Sequence, residues 1–347
     1  MKCMGIMELA LVTISLGLFF NFSNGFHDAS NIVATIVSSR SMSTRSALIM
    51  AALLVFLGSF FLGTAVAKTI GQAIVNIDSI TIKGIVAAII AATAWNILTW
   101  IARLPSSSSH ALIGGLMGAA LQQSGTGAVE WMRVLVILGA LFVSPFLGFF
   151  VSYHLTKMNF HIFRHINPVA GNSILKRLQI LSGALLAISH GTNDAQKAMG
   201  LITLSLVVLH RTNPSAMARF YTPGPGETFV VPGWVIFACS LALSLGMLSG
   251  GERIIKTVGL KLFKIKPIHG FGAMFSTALV VYICSVFGFP VSTTHIASSG
   301  IVGGGAAQRL GIVRWGLTRD FLLTWLITIP ASGGLAYLFS LMLVKAF

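Results

Sequence analysis

Two aspartates, Asp28 and Asp194, fall inside apolar runs at matching places of a repeated motif: Gly25-Phe26-His27-Asp28-Ala29 returns as Gly191-Thr192-Asn193-Asp194-Ala195, Gly25 falling on Gly191. A carboxylate is expensive in hydrocarbon, so such residues usually face a cavity and a cation or proton. Asn31 and Asn193, with Asn24 at an expected helix break, offer the neutral oxygens that a desolvated hard cation wants beside one carboxylate. Asp28, Asn31, Asn193 and Asp194 are therefore the candidate ligands if the ion is sodium. His27 next to Asp28 is a candidate proton relay, and its alternative is a hydrogen-bonded helix contact. Lys197 replaces Asn31 in the second copy, three residues after Asp194 on the same helix face. Its ammonium can stand where a cation binds in the other half, neutralise Asp194 as a purely structural ion pair, or meet an anion directly.

A second repeated motif suits the opposite charge. Pro105-Ser106-Ser107-Ser108-Ser109-His110 matches Pro290-Val291-Ser292-Thr293-Thr294-His295, each followed by a glycine-rich apolar segment. Proline suits the first turn of a helix and hydroxyls suit its cap, so each motif reads as a helix start within the membrane. Free N–H groups and the positive end of the helix dipole make such a start an anion site. Ser106, Ser107, Ser108, Ser109, Ser292, Thr293 and Thr294 would add hydroxyl donors. Two starts face to face would hold a small tetrahedral oxyanion without arginine; the plainer reading is that the hydroxyls only cap helices or let them pack closely.

The elements that must position these residues are membrane helices. Of 347 residues 55% are hydrophobic and 9% charged, against about 25% charged in an ordinary soluble domain, and the mean hydropathy is +0.88. The apolar runs are continuous, which excludes a soluble enzyme and an outer-membrane barrel. The net charge of +15 reads as topology, not nucleic-acid binding, because the basic residues crowd into short loops. Cys3, Cys239 and Cys284 make neither a metal spacing nor an even set. The first apolar run, after Lys2, lacks a clean cleavage signal, so it reads as a membrane helix and not a signal peptide.

Each half reads as a motif-bearing segment, two plain apolar helices, a Pro-Ser/Thr-His segment and a closing helix. The first half is expected at 6–37, 46–70, 84–104, 105–123 and 131–156, the second at 174–209, 231–250, 268–289, 290–308 and 316–345. The fold class expected is an all-α polytopic membrane protein with about 10–12 membrane segments, two inverted repeats (1–156 and 178–347) and a cytoplasmic linker at 157–177. If each Pro-Ser/Thr-His segment counts as one crossing, the positive-inside rule is better obeyed than if it is re-entrant, and both termini face outside. Glu252-Arg253 and Arg319-Asp320 read as solvated pairs at the cytoplasmic edge, and 210–232 as an irregular outer loop. Acids in both halves beside helix breaks favour a coupled carrier over a channel. No glycine-rich loop ends in Lys and Ser/Thr, so nucleotide-driven pumping is not expected.

With both signatures in place, His190-Gly191-Thr192-Asn193-Asp194-Ala195-Gln196-Lys197 included, the chain resembles the inorganic phosphate transporter (Pit) family over nearly its whole length. The resemblance implies two inverted repeats, helical hairpins that hold phosphate, and cation sites around the signature aspartates. His27 and Gln196-Lys197 depart from the sodium-coupled pattern and are more similar to the bacterial low-affinity, proton-coupled subgroup, understood to carry neutral metal-phosphate complexes. It implies no enzyme activity and no cofactor beyond a coupling ion, H+ or Na+. The partners it implies are inorganic phosphate, the coupling cation, membrane lipid, a homo-oligomer and a cytoplasmic PhoU-like regulator, with no nucleic acid, in the cell's inner (plasma) membrane. A sodium-coupled phosphate symporter, a sulfate or other oxyanion permease and an anion channel remain as alternatives. Acceptors such as Asp28 near the anion favour phosphate, which carries protons at neutral pH, over sulfate, which does not.

Overall fold

A computed structural model describes residues 5–224, 229–250 and 262–346. Cys3 and the Glu252-Arg253 pair lie outside these. The helices are α1 (Ile6–Ser38), α2 (Thr44–Gly58), α3 (Ala65–Gln72), α4 (Ile82–Ile101), α5 (Ser108–Ser124), α6 (Trp131–Ile162), α7 (Pro168–Thr212), α8 (Pro214–Met217), α9 (Gly233–Ser249), α10 (Pro267–Val286), α11 (Thr293–Gln308) and α12 (Trp315–Ala346). Among the described residues, five helices are long and apolar enough to cross a membrane, namely α1, α4, α6, α10 and α12. The chain is a multi-pass membrane protein. α7 is too polar to read as a span, yet it is buried without interruption from Ser189 to Val207. Protein, not lipid, surrounds its polar side chains, and this makes them tolerable.

Matched elements exchange partners. α1 packs on α9 and α7 on α2, while α6 packs on α11 and α12 on α5. Glycines bring the first two pairs together. A Cβ at Gly25 would meet the Leu243 carbonyl, and one at Gly246 the Phe22 carbonyl; likewise Gly191 faces the Val55 carbonyl and Gly58 the Ile188 carbonyl. Backbones in contact leave no room for a methyl group.

These glycines correct one expectation. No helix break accompanies either aspartate: α1 runs 33 residues and α7 runs 45 through their signatures. Gly25 and Gly191 are there for their small size, so the helical hydrogen bonds continue past them. The breaks occur instead between α4 and α5 and between α10 and α11, each pair packing on itself as a hairpin. The helices there also begin three residues later than expected, at Ser108 and Thr293. Ser107 and Ser292 are the N-caps, accepting from the amides of His110 and His295 at 3.2 Å, and each proline precedes its cap.

Two further boundaries differ. The apolar stretch 46–70 divides into α2 and α3, because Gly63 adopts φ +64 in the intervening turn. The expected linker 157–177 is mostly helical: α6 persists to Ile162, and Asn167 caps α7 through the Val169 amide at 2.9 Å with Pro168 in the first turn. Proline there starts a helix because its missing N–H would be unpaired in any case. At the other end, α7 continues to Thr212 into the expected outer loop. Inside α6, Pro145 cannot donate to Leu141, and Ser144 Oγ reaches that carbonyl at 3.5 Å.

Candidate functional site: two acids on α1 and α7 beside the start of α11

α1 and α7 run side by side and present Asp28 and Asp194 to the first turn of α11. Each acid is held in the same manner. Thr294 Oγ1 donates to Asp28 Oδ1 at 2.8 Å, and Asn31 Nδ2 donates both to that oxygen and to Thr294 Oγ1, each at 3.0 Å. Thr293 Oγ1 donates to Asp194 Oδ2 at 2.8 Å, and the Lys197 ammonium donates to Asp194 Oδ1. Asn31 and Lys197 thus fill equivalent positions, one with a neutral amide and one with a charge. Both acids are buried, as is Lys197 at 1% exposure.

His190 completes the cluster. Its Nδ1 lies 2.8 Å from Asp194 Oδ2, one helical turn away, and single ligand atoms of Asp28, His190 and Asp194 lie within 4.8 Å of one another. Sequence reading assigned His190 no role, although it falls on Asn24 when the halves are aligned and stands four residues before Asp194, as Asn24 does before Asp28. That spacing places it on the acid's own helix face, which is the signal that could have found it.

Several polar atoms here have no partner among the described residues: Asp28 Oδ2, His27 Nε2, His190 Nε2, Asn193 Oδ1 and both amide atoms of Asn24. His27 Nδ1 is 3.4 Å from Asp28 Oδ1. An unpartnered buried carboxylate oxygen is costly and rare in a finished structure, so its neighbourhood suits a bound cation or proton. Two carboxylates and one ammonium meet in this cluster, with the His27 and His190 imidazoles beside them.

Other residues expected at the site are placed differently. Asn193 turns to α10 and the following turn, donating to Ser285 Oγ at 2.9 Å and the Phe289 carbonyl at 3.1 Å. Ser106 bonds Thr99 at 2.7 Å. Ser107 caps α5 and contacts His110 Nδ1 at 2.8 Å. Ser109 donates to the Val291 carbonyl at 2.7 Å, tying the α5 start to the α11 start. The His110 and His295 rings meet there, with centroids 4.6 Å apart. The two helix starts therefore face each other. Of the two starts only that of α11 touches the acids, and the hydroxyl of Ser108, the counterpart of Thr293, makes no hydrogen bond among the described residues.

The whole arrangement has relatives. The model of the Phosphate transporter family matches residues 24–336, a range that takes in both signatures and both helix starts. A protein of Rhizobium meliloti (strain 1021), named "Probable low-affinity inorganic phosphate transporter", is 41% identical over 319 residues, covering 92% of each chain. A protein of the same name from Bacillus subtilis (strain 168) is 41% identical over 342 residues, 96% of this chain and 97% of that one. Among solved structures, "The sodium-dependent phosphate transporter" shares the fold with a TM-score of 0.85 at 24% identity, over 98% of this chain and 100% of the other. With the signature acids buried together on α1 and α7 and its relatives aligned from end to end, the chain belongs to the phosphate transporter family.

Proposed function

We propose that this protein is a secondary carrier that imports inorganic phosphate, free or as a neutral metal complex, together with one cation, and that the cation is a proton in preference to sodium. The observation that carries this reading is the asymmetry of the two acids. Asp194 has an internal cation in Lys197, whereas Asp28 keeps one oxygen unpartnered beside His27. One acid is left to take up the coupling ion, and an imidazole stands next to it to pass a proton. The place that Asn31 fills beside Asp28 is taken beside Asp194 by Lys197, so the second half lacks that neutral amide of a symmetric pair of sodium sites.

The anion would sit between the starts of α5 and α11. Each cap satisfies the third amide of its helix and leaves the first two without a helical acceptor, so four N–H groups converge with the Ser108 hydroxyl. The reciprocal packing of matched helices supports a two-fold relation between halves. We place the protein in the inner membrane with both termini outside, the arrangement that follows from the excess of basic residues on the inside loops.

Purified protein in liposomes tests the reading, with labelled phosphate uptake measured under a pH gradient and a sodium gradient imposed separately. Accumulation driven by the pH gradient alone is expected. Accumulation driven only by sodium would replace the proton with sodium; dissipation without accumulation under either gradient would identify a channel. Stronger competition by sulfate than by arsenate would favour a general oxyanion permease.

A further inference from the structure

α6 and α12 enclose a cavity of about 660 Å³ that opens sideways and reaches inward to His110 and His295. Its walls are Phe142, Phe146 and Phe149 of α6 and Phe321, Leu322 and Trp325 of α12. Of its lining residues Phe142 and Leu326 are 64% and 70% exposed, on two helices long and apolar enough to cross a membrane. The medium outside this mouth is therefore hydrocarbon, and an apolar hollow open to hydrocarbon fills with it and not with water. The volume is that of a ligand pocket, about 300–1,000 Å³.

The cavity is not uniformly apolar. His295, Ser298 and Thr318 line it too, and His295 Nε2, Ser298 Oγ and Thr318 Oγ1 are buried without a partner among the described residues. Trp315 begins α12 and is half exposed, as befits an aromatic residue at the membrane interface. Arg314 precedes it and Arg319 follows one helical turn on, and among the described residues Arg319 pairs with its neighbour Asp320 at 3.8 Å, both exposed. Two arginines beside an interfacial tryptophan form a place for an anionic head group. The hollow below them fits the rest of the lipid.

We propose that the cavity between α6 and α12 is a binding site for one anionic phospholipid, whose phosphate meets Arg314 and Arg319, whose ester region reaches Thr318, and whose acyl chain runs inward to Trp325 and His295. Trp325 stacks on His295 at 3.9 Å between ring centroids and donates from its indole to the Pro105 carbonyl at 3.1 Å. The lipid tail would thus bear on the contact that joins the two helix starts. This site is independent of what the protein carries.

Brominated acyl chains quench indoles they touch, and Trp325 is only 8% exposed, so surface lipid does not reach it. Protein is reconstituted into phosphatidylcholine vesicles with rising fractions of brominated phosphatidylglycerol, or of brominated phosphatidylcholine, and tryptophan fluorescence is followed. A saturable component is expected at a lower fraction of the anionic lipid, absent in Trp325→Phe. Its midpoint should move about fivefold for each of Arg314→Gln and Arg319→Gln. Both arginines are exposed, so these variants should fold; Leu326→Phe, which narrows the mouth without adding an indole, should weaken the component as well. Quenching that rises linearly and equally for both lipids would overturn the proposal. So would an unshifted midpoint in the Arg314→Gln, Arg319→Gln double variant. Loss of the Trp325 component with either lipid because a second copy covers the mouth, seen by cross-linking, would also overturn it.

Discussion

Thr294 Oγ1, in the first turn of α11, donates to Asp28 Oδ1 on α1 at 2.8 Å. One helix start is thus both half of the proposed anion site and a direct partner of the acid proposed to carry the proton. An anion drawing α11's first turn toward itself competes for the same hydroxyl, and a proton on Asp28 weakens the bond from the other side. Coupling needs no longer path than this one contact, together with its counterpart from Thr293 to Asp194.

Asp28→Asn should abolish uptake driven by a pH gradient while the protein remains folded, because the amide keeps the volume and an acceptor but cannot take the proton. Liposome uptake with a parallel thermal-unfolding scan decides this, and undiminished accumulation would remove Asp28 from the coupling step.

Lys197 and Asp194 should behave as a unit. Breaking a buried ion pair from one side costs about 3–5 kcal/mol, so Lys197→Asn and Asp194→Asn should each destabilise more than the two together. In transport, Lys197→Asn restores the amide found at Asn31, and sodium dependence is expected to rise as proton-driven uptake falls. If Lys197→Asn matches wild type under both gradients, the lysine is a bystander.

The two hydroxyl clusters should separate. Replacing Ser107 and Ser108 by Ala should raise the half-saturating phosphate concentration at least tenfold, since each hydrogen bond lost to a charged group costs about 1.5–3 kcal/mol. The same change at Thr293 and Thr294 should also alter the pH dependence of uptake, because these two hydroxyls bond the acids. Equal effects of both pairs on affinity, with no change in pH dependence, would argue against this division.

Gly25→Ala should destabilise the protein by about 1–3 kcal/mol, the ordinary cost of overpacking, and Gly191→Ala likewise, since the new methyl groups would meet the Leu243 and Val55 carbonyls. Gly127→Ala, with nothing within 4 Å of the added carbon, is the control. Equal melting temperatures for all three would mean that α1 and α9 have room to separate.

By itself the sequence determined the membrane class, the repeats, the acids and the hydroxyl-rich helix starts, because each is a local statement about residue type. Continuous apolar runs demand helices, and an acid inside one demands a partner. The tertiary structure decided which partner. Asn31 and Asn193 look alike in sequence, yet the Asn193 Nδ2 donates to α10 while that of Asn31 donates to Asp28. His190 meets Asp194 along their own helix, but it joins Asp28 only because α1 and α7 pack side by side. Glycine beside an aspartate reads as a break, and here it is a close approach, since whether a helix needs freedom or thinness depends on the backbone opposite. The segment 174–209 is expected as a membrane segment like the others, yet α7 over it is buried without interruption from Ser189 to Val207. Its environment is other helices, and no property of its own residues records that.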